Sequence, residues 1–215
     1  SLLAIQEAAA AEDNDDDDDT AAEGGGAVRM VHLERLDPPR LTALQSAEWI
    51  DLAAPPSALL ELAAVHGKPM LQLCREVRIG LYLDIKAINA EGMVTMTESL
   101  REYGMFNYAI FGSFRPDWVA EIKANIPDAQ TSVLFSSVHV EPVSLALAVG
   151  ADYVHPCWER FDTPQDYLTP EWLAAVRAQD LGIVCWHEER PSVIAALKAL
   201  GVDGICSDMP DLLVD

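Results

Sequence analysis

Carboxylates, an ammonium, imidazoles and indoles stand just past short apolar runs in the second half of the chain. "GLYLDIK" finishes on Asp84 and Lys86, "ADYVHPCW" leads through His155 to Glu159, and "GIVCWHE" runs into Trp186, His187 and Glu188. "GVDGIC" delivers Ser207, Asp208, Met209 and Pro210. Such groups can hold a cation, meet an anionic oxygen or move a proton near neutral pH. Asp84 and Lys86 are two positions apart, so on a strand they share a face, and they could equally be an ion pair without a reaction to serve. In parallel α/β folds the working face lies beyond the carboxyl ends of the strands, which is where these residues fall.

The elements that must position them alternate regularly. Strand patterns at 80–86, 107–114, 131–137, 151–158, 182–188 and 201–208 are separated by helical patterns at about 94–102, 116–125, 141–149, 170–179 and 191–200. Each strand is short and almost continuously apolar, as a strand buried on both faces must be. Thr169-Pro170-Glu171 and Pro116-Asp117 are good helix openings. Upstream the signals weaken. Residues 2–11, 42–52 and 57–66 suit helices, and 27–33 is a short strand candidate. The run "EDNDDDDDTAAEGGG" (12–26) is too charged to bury and reads as a solvated, disordered segment. The whole, residues 1–215, is expected to be one domain. No GxGxxG or Walker sequence follows any strand, which disfavours a nucleotide-binding open sheet. The expected fold is therefore a (β/α)8 TIM barrel, missing its first strand and with its second disrupted.

Composition narrows the partners. With 35 acidic and 14 basic side chains the net charge is −21, so nothing here could neutralise nucleic-acid phosphates or an anionic membrane. Excess carboxylate with scarce lysine suits a salt-rich cytoplasm, where ions screen self-repulsion. No apolar run is long enough to span a membrane, and the opening "SLLAIQEAAAA" has no basic flank of a secretory signal. A cytoplasmic protein is the expectation, one whose opening looks like a helix cut from something longer. The four cysteines, Cys74, Cys157, Cys185 and Cys206, are widely spaced without a CxxC and read as buried free thiols.

The order of these strand ends resembles the glycerophosphodiester phosphodiesterases. That family's last strand has the form Gly-Val-Asp-Gly-Ile-x-Thr-Asp-x-Pro, and residues 201–210 read Gly-Val-Asp-Gly-Ile-Cys-Ser-Asp-Met-Pro. Its preceding strand ends in Trp, as Trp186 does here. A middle strand ends in Glu-x-Lys, matched by Asp84-Ile85-Lys86, and the next ends in Ser-Phe, matched by Ser113-Phe114. Val31-His32 keeps the Val-His pair of a further strand end. The family's His-Arg-Gly strand has no counterpart, and its Glu-x-Asp ligand pair would have to fall within the poly-Asp run. Residues 80–214 carry the resemblance well and 1–79 poorly.

What the resemblance implies is a hydrolase that cleaves a small-molecule phosphodiester to glycerol 3-phosphate and an alcohol, assisted by a divalent cation, Mg²⁺ or Ca²⁺. Asp84 would be a metal ligand, Lys86 the cation facing phosphate, His32 an acid–base group and Trp186 an apolar wall. Asp in place of Glu at 84 retracts the carboxylate by about 1.5 Å, which an adaptable Ca²⁺ shell tolerates better than a strict Mg²⁺ octahedron. The alternative is a catalytically inactive barrel fragment that binds a phosphorylated ligand or acts as a scaffold. His155 to Glu159 departs from the family pattern and marks a possible substrate pocket.

Overall fold

The computed structural model describes residues 2–4, 28–31, 49–51, 70–76, 80–86, 89–207, 209 and 212–213. The acidic segment 12–26, the helical expectation at 57–66, His32 and Asp208 lie outside them. Three short strands come first, β1 (Leu2–Ala4), β2 (Val28–Val31) and β3 (Trp49–Asp51), followed by helix α1 (Met70–Glu76). Strand and helix then alternate: β4 (Gly80–Asp84), α2 (Ala90–Glu102), β5 (Ala109–Ser113), α3 (Pro116–Asn125), β6 (Gln130–Phe135) and α4 (Pro142–Val149). The series continues with β7 (Tyr153–Pro156), α5 (Pro170–Arg177), β8 (Gly182–Cys185), α6 (Pro191–Ala199) and β9 (Gly204–Ser207).

All these strands join one sheet in the order β1-β2-β9-β8-β7-β6-β5-β4-β3. Neighbours from β2 through β9 round to β3 are parallel, and only β1 runs antiparallel, against β2 and β9. The curled parallel sheet with its helices is a partial (β/α)8 barrel, as the alternation predicts. Two upstream helix expectations fail. Leu2–Ala4 and Trp49–Asp51 are strands, not parts of helices over 2–11 and 42–52. The sheet supplies the reason: its edges present unpaired N–H and C=O groups, and a three-residue ladder there overrides a weak local helical preference. The strand expected at 27–33 is present as β2.

Two apolar clusters explain why β4 to β9 lack polar alternation. Facing the helices, Leu81, Phe111, Val133, Val154, Ile183 and Ile205 pack with Leu100, Val119, Ile122, Val176 and Ile194. Facing inward, Tyr82, Ile110, Leu134, Cys157, Val184 and Cys206 fill the interior. All four cysteines are free and buried, as the sequence predicts, and burial lifts the Cys74 and Cys185 thiols to about 12, far from the reactive thiolate. No helix among the described residues is long and apolar enough to cross a membrane.

The helix-to-strand side is built for stability. Helix α4 ends on Gly150 at φ 68°, a left-handed position that glycine takes without strain. Two residues later Asp152 accepts from the Thr131 N–H at 2.7 Å and from Lys123 Nζ at 2.8 Å. The arrangement repeats at Gly201, φ 71°, where Asp203 accepts from the Ile183 N–H and from Arg177 Nη1, both at 2.6 Å. Each Gly-x-Asp thus ties a strand start to the basic end of a neighbouring helix. On the opposite side helices α3, α4, α5 and α6 all begin with proline, whose fixed φ suits a first helical turn.

Inside the sheet, Gly112 leaves room for the Tyr82 ring: a Cβ at 112 would fall 2.3 Å from the Tyr82 hydroxyl oxygen. Gly112→Ala is therefore expected to destabilise the fold by about 1–3 kcal/mol, the usual cost of overpacking. Urea denaturation measures it, and an unchanged midpoint would contradict the placement of Tyr82.

Candidate active site at the carboxyl ends of the strands

Strand β4 carries Asp84 to the mouth of the barrel and the chain turns immediately into Lys86. That turn is fixed from β5. The Ile85 N–H donates to the Gly112 carbonyl at 2.7 Å, and Ser113 Oγ donates to the Ile85 carbonyl at 2.8 Å. Ser113 Oγ also accepts from the Arg115 N–H at 3.1 Å, which starts α3. The Ser-Phe motif is thus first a structural device, holding the backbone that presents Lys86.

The Asp84 side chain is 1% exposed, that of Lys86 59%. Lys86 Nζ lies 2.5 Å from Asp84 Oδ2 and forms an ion pair with it, while Asp84 Oδ1 is buried without a hydrogen-bond partner among the described residues. The ammonium also stands 5.2 Å from the Phe114 ring and 5.6 Å from the Trp186 ring, in cation–π range of both. The two rings meet at 5.8 Å. Trp186 is held by its N–H donating to the Pro156 carbonyl at 3.1 Å and by a bridge to Cys157. Asp84, Lys86 and Trp186, named from sequence, therefore come together with Phe114. His32 and Asp208 lie outside the described residues. Ser207 Oγ accepts from the Met209 N–H at 3.1 Å, a turn at the end of β9 as the sequence suggests.

Below this group, on β7, His155 is completely buried. Its Nδ1 pairs with the Tyr82 hydroxyl at 2.8 Å, and the two rings meet edge to face. Desolvation first, and the nearby Lys86 charge second, lower its pKa to about 3, so the ring is neutral near pH 7. Sequence reasoning placed His155 at the mouth but missed Tyr82. Tyr82 precedes Asp84 by two residues and so shares its face, which is the signal that could have found it.

The segment after β8 is engaged in local structure. Glu188 is buried and accepts from Arg190 Nε at 2.6 Å, from Arg190 Nη2 at 2.5 Å and from the Arg190 N–H at 2.7 Å. Arg190 Nη1 in turn donates to the carbonyls of Phe161 and Asp162. His187 Nε2 faces Glu189 Oε2 at 3.3 Å. Desolvation raises the Glu189 carboxyl. Past β7, Glu159 Oε2 is buried with no hydrogen-bond partner, and its charge, with that of Asp84, adds to the burial that pushes the Cys157 thiol up.

A parallel barrel that gathers a carboxylate, an ammonium and an indole beyond its strand ends has the layout of a barrel enzyme working at that face. Residues 15–212 match the profile of the glycerophosphoryl diester phosphodiesterase family, and the chain belongs to that family. A curated glycerophosphodiester phosphodiesterase from Caldanaerobacter subterraneus subsp. tengcongensis is 23% identical over 120 residues, 56% of this chain and 46% of that one. The chain thus spans about half the length of that relative. A crystal structure of a putative glycerophosphoryl diester phosphodiesterase from Silicibacter pomeroyi DSS-3 superposes with a TM-score of 0.57 at 22% identity, covering 67% of this chain and 53% of that one. A phosphodiesterase of Oleispira antarctica, solved with the product sn-glycerol-3-phosphate, gives 0.54 at 18% identity, covering 67% and 59%. At these identities the structural matches bear on the fold.

Burial of His155 makes stability depend on pH. Its folded pKa lies below the usual 6.5, so between about pH 6.5 and 3 the unfolded chain binds more protons at this residue. The stability it contributes is complete above that window and is lost as pH falls through it, with a slope on the order of 1 kcal/mol per pH unit. Denaturation midpoints of His155→Gln are expected to fall less steeply over that range than those of the parent chain. Parallel pH profiles would show that the ring is not desolvated as described.

Proposed function

We propose that this chain is a phosphoric diester hydrolase that cleaves glycerophosphodiesters to glycerol 3-phosphate and an alcohol. The observation that carries the reading is the Lys86 ammonium, held at the barrel mouth against a buried carboxylate and two aromatic rings in a chain of this family. In this reading Lys86 meets an anionic phosphoryl oxygen and Trp186 is the apolar wall beside the substrate. His32 serves as an acid–base group, because imidazole titrates near neutral pH. The Oleispira protein's bound sn-glycerol-3-phosphate supports the choice of product. The match to a family of phosphodiesterases favours hydrolysis over the silent scaffold.

Asp84 is proposed as one ligand of a divalent cation, Mg²⁺ or Ca²⁺. Its Oδ1 is buried without a hydrogen-bond partner among the described residues, and Oδ2 is paired with the half-exposed Lys86, which leaves a buried carboxylate oxygen that a cation can take. The described residues alone contain no group of three or more His, Cys, Asp or Glu able to complete a site. Such a cation, when bound, draws charge from the phosphoryl oxygens. The 215 residues act as one unit in this proposal, and the net charge of −21 suits a salt-rich cytoplasm.

The test is release of glycerol 3-phosphate from glycerophosphocholine at molar salt, with added Mg²⁺ or Ca²⁺ and with chelator. Turnover is expected with cation and not with chelator. Lys86→Met is expected to lower kcat/KM by about 100-fold, in line with loss of one charge-stabilising group. Asp84→Asn is expected to abolish stimulation by the cation. Turnover that survives chelation would remove the metal from the proposal, and absence of product with either cation would end it.

A further inference from the structure

One buried imidazole remains without a task in the reading above. His155 has one ring nitrogen engaged and one not: Nδ1 pairs with Tyr82, whereas Nε2 is buried without a hydrogen-bond partner. A completely buried side chain normally has its polar atoms satisfied, so an unpaired ring nitrogen asks for an explanation. Tyr82 sits two residues before Asp84, deeper in the interior. Its bond to Nδ1 leaves Nε2 on the ring edge away from Tyr82. The Trp186 ring lies 6.2 Å from the imidazole, centroid to centroid, and the Lys86 ammonium stands 5.6 Å from that same indole.

We propose that His155 Nε2–H is a hydrogen-bond donor in the floor of the site that receives a phosphoryl oxygen of the bound substrate, with Tyr82 as the positioning residue that fixes the ring's orientation and tautomer. The inference rests on the proposed phosphodiester site and adds to it a group outside the motifs that Asp84, Lys86 and Trp186 supply. In this proposed arrangement the Tyr82 hydroxyl is the donor to Nδ1, which puts the single ring proton on Nε2. A neutral ring suits the task, because it offers a donor to an anion without adding a second buried positive charge beside Lys86. Lys86 is more than half exposed, so its ammonium can swing toward the same phosphate and open the way to Nε2. Gly112 contributes by leaving the space that Tyr82 needs.

The experiment measures binding of inorganic phosphate and sn-glycerol 3-phosphate to the full chain by titration calorimetry at neutral pH. It is paired with ¹⁵N spectra of the imidazole nitrogens. The parent chain is expected to bind both ligands, with Nε2 protonated and its signal moved by either. His155→Leu is expected to lose about 10- to 100-fold in affinity, as for a hydrogen bond to a charged partner. His155→Gln, which keeps an N–H donor, is expected to recover most of it. Tyr82→Phe, which keeps the imidazole and frees its tautomer, should lose affinity by a smaller factor. Should His155→Leu fail to fold, the Gln and Phe variants and the Nε2 signal decide the matter. Parent-like binding by a folded His155→Leu, an Nε2 signal that ignores phosphate, or no phosphate binding by the parent would each overturn the proposal. Absence of hydrolysis by the parent would overturn the hydrolase reading alone, because binding and its loss are read without turnover.

Discussion

A carboxylate removed from water without hydrogen-bond donors is an unstable arrangement unless positive charge stands beside it. Asp84 is in that position, with a side chain 1% exposed, Oδ1 without a hydrogen-bond partner and the Lys86 ammonium 2.5 Å from Oδ2. Desolvating an ion costs several kcal/mol even after the protein relaxes, and among the described residues the ion-pair partner of Asp84 is the Lys86 ammonium. Lys86 is itself more than half in water, so the balance is incomplete. The carboxylate is held poised for further positive charge, and the ammonium for negative charge, in one opening. The Ser113 hydroxyl and the Gly112 carbonyl hold the turn that keeps the two groups adjacent.

The two ends of the barrel solve the same electrostatic problem differently. At the strand starts, Asp152 and Asp203 each accept a backbone N–H and a basic side chain, so their charge is fully used in joining helix to strand. Toward the strand ends, Asp84 Oδ1, His155 Nε2 and Glu159 Oε2 are buried without hydrogen bonds, as Ser132 Oγ is within β6. Satisfied polar groups make a rigid base, and a buried polar group left without a partner near the mouth is one that a ligand can satisfy. Glu188 shows the contrast within the mouth itself: Arg190 saturates it, and it serves to brace the loop after β8.

Size complementarity links the interior to that opening. Glycines at 112 and 182 admit the rings of Tyr82 and Tyr153, because any Cβ at either position would overlap the ring beside it. Tyr82 then reaches His155 across the sheet interior, and His155 underlies Trp186 and Lys86. The packing of one small residue thereby sets the orientation of a polar group several strands away.

Much was legible along the chain. The βα alternation, the proline-led helices, the buried thiols and the strand ends carrying Asp84, Lys86 and Trp186 follow from local spacing, since strand period and proline geometry act over a few residues. The acidic excess likewise set the expectation of no nucleic-acid partner without any coordinates. Only the tertiary structure decided that Leu2–Ala4 and Trp49–Asp51 are strands, because sheet edges stabilise segments whose own preference is weak. It also decided that Ser113 holds a backbone turn, that Phe114 shares the Lys86 charge with Trp186, and that His155 is buried and neutral beside Tyr82. Those facts depend on which strands lie side by side and how deep each residue sits, and neither distance nor desolvation is written in a linear pattern.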